Sequence, residues 1–130
     1  MGYIPKKTLE DLEFFKVTKQ LSSFAVTHMG KEKCLSLDPI EEVQSMHDAL
    51  SCVSEFLASF DNDNRIPNHG FEDLSSSFQL LKIENSVLEL FAFRNIAVAS
   101  ETVNNLLIFY KKFKSYYPSL YSRGSEMEVN

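Results

Sequence analysis

A chain of 130 residues, 44% of them hydrophobic and 24% charged, is long enough for one domain with its own core and has the composition of an ordinary soluble protein. Its net charge of −5 argues against a stand-alone nucleic-acid binder, since phosphate contact needs clustered Lys and Arg, though a local basic patch stays compatible with it. No apolar run approaches the ~18 residues of a membrane span, and residues 1–7 lack the apolar segment of a signal peptide, so no membrane association and a cytoplasmic location are expected.

In chain order, residues 3–7 read as an extended lead-in, because Pro5 biases its neighbour away from helix. A first helix is predicted to begin between Thr8 and Glu13, with Phe14, Val17, Leu21, Phe24 and His28 on its inner face and Gly30 as a left-handed C-terminal cap. Residues 31–37 read as a short helical turn that packs Leu35 and Leu37 inward. Asp38-Pro39-Ile40-Glu41 then has the form of a helix start, with Asp38 as N-cap and Pro39 at the first helical position. The helix it opens carries Val43, Met46, Leu50, Val53, Leu57 and Phe60 in a strict alternation of three and four, with Ala49, Cys52 and Phe56 alongside. Such a seam suits antiparallel bundle packing, and Leu50 is expected in the core.

Asn, Asp, Pro and Gly crowd residues 61–70, which read as a loop. A short helix over residues 73–82 is expected to turn Leu74, Phe78 and Leu81 inward. The longest pattern follows. Ser86 and Glu89 have capping-box spacing, and Ala92, Ile96, Ala99, Val103, Leu106, Tyr110, Phe113 and Tyr117 share one face until Pro118 ends the run. Leu88, Phe91, Val98, Thr102 and Phe109 widen that stripe. The expectation is an all-α fold: a single domain over residues 1–130, ordered over about 8–117, forming an antiparallel helical bundle with one long C-terminal helix. Residues 118–130 read as a frayed tail or an artificial end.

Little in the sequence carries the marks of catalytic chemistry. Gly30-Lys31 lacks the glycine and the Ser or Thr of a phosphate-binding loop, since Ala25 and Glu32 stand at those positions. His28, His47 and His69 have no metal-ligand spacing; His28 suits a helix C-terminus and His69 a turn. Cys34 and Cys52 form no CxxC pattern and read as reduced, partly buried thiols. Ser75-Ser76-Ser77 lacks a nucleophile elbow, and acidic pairs such as Glu41 and Glu42 fit helix N-terminal turns. No catalytic, cofactor or metal residue is assigned. One patch has binding character: Lys111, Lys112, Lys114 and Arg123, interleaved with Phe113, Tyr116, Tyr117 and Tyr121, as weak DNA contacts. A helix C-terminus that attracts lysines accounts for the same residues.

The run Thr8-Leu9-Glu10-Asp11-Leu12-Glu13-Phe14-Phe15-Lys16-Val17, followed by Gly30-Lys31-Glu32 and Leu37-Asp38-Pro39, resembles the opening of bacterial MutS-family ATPases, in particular the second MutS paralogue linked to recombination control. Phe15 stands where that pattern usually has Asp. The loop from Asn64 to Phe71 resembles the version found in Bacteroidetes-type bacteria. The resemblance spans about residues 8–117. It implies the N-terminal part of a helical core or lever region that links an ATPase to a DNA clamp in mismatch repair or recombination, non-catalytic in itself. ATP, Mg, DNA and homodimerisation would belong to the full-length protein, whose Walker motifs lie outside these residues. A stand-alone helical adaptor for a partner helix is the alternative.

Overall fold

The structure, a computed structural model, describes residues 4–126. Seven helices follow in order: α1 (Lys6–Asp11), α2 (Phe14–Phe24), α3 (His28–Leu35), α4 (Val43–Ala58), α5 (Ser75–Leu81), α6 (Leu90–Lys112) and α7 (Pro118–Ser125). No strand occurs among the described residues, so the fold is all-α as expected. Tyr3, in the predicted lead-in, and residues 127–130 of the predicted tail lie outside the described residues.

The residues cluster into two compact units. The first holds Met1–Pro39 with Gly70–Glu101, and the second Ile40–His69 with Thr102–Asn130. Residues 90–101 of α6 belong to the first unit and residues 102–112 to the second.

In the first unit the expected opening helix is broken into three. Pro5, extended at ψ 143°, precedes α1, and Glu13 ends it in the left-handed region at φ 56°. The Glu13 carbonyl accepts from the Lys16 and Val17 amides, which starts α2. Thr27 caps α3: its Oγ1 accepts from the Gly30 amide at 3.0 Å. Gly30 is therefore inside the first turn of a helix, and the expected C-cap role is corrected. A Cβ at Gly30 would lie 3.0 Å from that hydroxyl oxygen, a tight contact that Thr27 would have to relieve by shifting a few tenths of an ångström. His28 likewise opens α3 rather than closing a helix, with Nδ1 3.6 Å from Asp73 and 4.0 Å from Glu32.

The inner face of α2 also differs. Thr18 is buried, while Val17, Leu21 and Phe24 of the expected inner stripe are exposed. Leu35 and Leu37 are exposed as well. Leu74, the N-cap of α5, is buried as expected, and within α5 the buried position is Ser77, whereas the expected Phe78 and Leu81 point out. Asp73 precedes α5 by accepting from the Ser75 amide (3.0 Å) and hydroxyl (2.6 Å). Ser86 does not cap the long helix. Its hydroxyl donates to the Leu80 carbonyl at 2.6 Å, as a second donor beside the Ile83 amide at 3.0 Å, and α6 starts four residues later at Leu90.

The start of α4 shows a similar displacement. Asp38 and Pro39, at the edge of the first unit, lie outside any helix, and α4 starts at Val43, where the Ser45 hydroxyl donates to the Glu42 carboxylate. The Asp38 N-cap expectation is thus corrected. Residues 61–70 contain no helix, as predicted. The expected frayed tail is corrected as far as Ser125. Pro118 does not merely end a helix; it occupies the first turn of α7, where its missing N–H costs nothing.

Candidate nucleic-acid interface

The basic cluster sits at the end of the second unit's scaffold, and that scaffold is built by polar anchors. The Glu55 carboxylate on α4 accepts from the Ser119 and Leu120 amides at 2.8 and 2.9 Å, filling two orphan donors at the start of α7. Tyr117 is fully buried, at 0% exposure. Its hydroxyl donates to the Asn64 carbonyl and accepts from Asn62 Nδ2 at 3.2 Å, and Asn62 also donates to the Ala58 carbonyl at 3.0 Å. The loop after α4 is thereby tied both to that helix and to the residue that opens α7. Nothing in the local pattern of Glu55, Asn62 or Asn64 marks these partners, which are 53–65 residues away in sequence. The one sequence signal was Pro118, a residue equally suited to begin a helix.

Around Tyr117 the aromatic rings pack against one another. Phe109 lies 4.9 Å from Phe113 and 5.6 Å from Tyr117, and Tyr110 meets Tyr117 edge-on at 6.2 Å. Burial, followed by the neighbouring Tyr117, Cys52 and Glu55, pushes the Tyr110 phenol above its usual range. These rings are occupied with the core. Tyr116, 58% exposed, is the aromatic of this group that remains open to a base.

Lys111 and Lys112 lie in the last turn of α6, where the helix dipole favours cations. Lys112 Nζ stands 5.1 Å from the centre of the Phe113 ring. Lys114 follows in the turn before α7, and all three lysines are exposed. Arg123 is on α7 and lines a cavity of about 530 Å³ with Asp48, Cys52, Pro118, Ser119, Ser122 and Glu126. Three cations therefore cluster at and just beyond the exposed end of α6, whereas Arg123 shares its surroundings with two carboxylates. Among the described residues none of the four is in an ion pair. The arrangement offers point charges to phosphate, with one exposed tyrosine beside them.

No group of three or more His, Cys, Asp and Glu side chains is placed to hold a metal among the described residues. Cys34 and Cys52 are half-buried free thiols on α3 and α4. His69 stacks edge-on against Phe56 at 6.1 Å and lines a small cavity with Arg65 and Ile66, consistent with its turn position. No described helix is long and apolar enough to cross a membrane.

Known proteins supply the remaining comparison. The chain is 31% identical over 78 residues to the endonuclease MutS2 of Bacillus velezensis, covering 60% of this chain and 10% of that protein. It is 31% identical over 100 residues to the endonuclease MutS2 of Streptococcus equi subsp. equi, covering 75% and 13%. With the endonuclease MutS2 of Pelotomaculum thermopropionicum the identity is 25% over 126 residues, 94% of this chain and 15% of the relative. The chain thus spans 10–15% of the length of these relatives. No family model matches it, and no solved structure matches it significantly. The similarities support a distant relationship to the MutS family.

Proposed function

We propose that these residues form the N-terminal helical part of a MutS-like, DNA-acting ATPase of the second-paralogue type, as found in Bacteroidetes-type bacteria. In this reading the segment is a non-catalytic core or lever region that transmits between the ATPase and a DNA clamp. The observation that carries the proposal is the similarity to endonuclease MutS2, which runs along 94% of the chain in one relative while covering only 15% of that relative. The uncovered apolar faces of α2 and α4 favour the same reading, because such faces belong inside a larger helical body. ATP, Mg and homodimerisation are assigned to the full-length cytoplasmic protein, and DNA is its partner.

Lys111, Lys112 and Lys114 are the proposed weak phosphate contacts, with Arg123 as an accessory. A patch of two to four cations gives a shallow salt dependence, about −0.9 in log–log slope per duplex contact, and dissociation constants of ~10⁻⁴–10⁻⁶ M. The test is fluorescence anisotropy with duplex and branched DNA at two salt concentrations, on the 130-residue chain and on the protein from the natural reading frame. The longer protein is expected to bind DNA well and to carry a Walker motif. The 130-residue chain is expected to bind barely and to neither bind nor hydrolyse ATP. Nanomolar, structure-selective binding by the short chain, lost on reversing those four charges, would make it a DNA-recognition module and end the lever reading.

A further inference from the structure

We draw no further inference here: the strongest candidate, the cavity of about 530 Å³ between α4 and α7 of the second unit, is lined by Arg123 together with Asp48 and Glu126, all exposed and of mixed sign, so that no ligand class is selected, and nothing in the structure shows what covers it.

Discussion

The two faces of α4 behave oppositely within one unit. On the inner side Glu55 reaches the start of α7, and Ala58 accepts from Asn62, which in turn meets the buried Tyr117. On the outer side six large apolar residues stand exposed. The inner face is the less hydrophobic of the two, yet it is the one that packs. A cover for it exists within its own unit, in α7 and the loop after α4, whereas the outer stripe stays exposed. Periodicity identifies what wants burial, and only the remainder of the fold supplies what buries it.

The widest gap between the faces comes from Tyr117. Tyr117→Ala removes a fully buried ring and leaves the Asn64 carbonyl without its donor, so a loss of about 3–5 kcal/mol is expected in denaturant melts. A loss below about 1 kcal/mol would mean that the inner face contributes little more than the outer one. The second contrast sets Leu106 against Leu50. Leu106 is half-buried beside Tyr110, and Leu106→Ala is expected to cost about 2 kcal/mol. Leu50 is 55% exposed, so Leu50→Ala in the 130-residue chain is expected to cost under about 1 kcal/mol. Equal losses would show α4 packed the other way round.

Glu55→Gln sharpens the comparison from the polar side. The amide keeps one acceptor for the two α7 donors but loses the charge that complements a helix N-terminus, so about 1 kcal/mol is expected, with α7 fraying first in hydrogen exchange. The smallest effect is a pH dependence. Tyr110 has a raised phenol pKa in the fold, so its contribution is complete below the unfolded value near 10 and is lost as pH rises through the folded one. Wild-type stability is therefore expected to fall more steeply in the alkaline range than that of Tyr110→Phe, read as melting temperature against pH; parallel curves would refute it. Asp73 acts at the other end of the scale. Its carboxyl, lowered chiefly by the Ser75 hydroxyl bond, contributes above its unfolded pKa and is lost as pH falls through the folded one.

Much of the secondary structure was legible, because it follows from spacing. The helical nature of residues 43–58, 75–81 and 90–112 and the loop after Phe60 come directly from three-four periodicity and from Asn, Asp, Pro and Gly. Helix starts were less legible. Asp38 and Ser86 both have capping chemistry, but a capping residue is an offer that other donors and acceptors compete for, and Ser86 is taken by the Leu80 carbonyl. The break at Glu13 has no signature at all, since glutamate carries none of the preference for left-handed backbone that Gly or Asn has. At the candidate interface the three lysines were readable as a cluster, whereas the acidic neighbours of Arg123 come from α4 and from the residue that closes α7.

That the chain is helical, where its apolar stripes run and that Lys111, Lys112 and Lys114 cluster all depend on residues within a few turns of one another, and so are legible locally. Which stripe is inside was decided only by tertiary structure. A helix can turn toward its neighbours either of two adjoining rows, and the choice is set by contacts such as Glu55 with Ser119 and Tyr117 with Asn64, formed between residues far apart in the chain. Those bonds fix the rotation of α4 about its own axis, and that rotation leaves Leu50 and Leu57 facing outward.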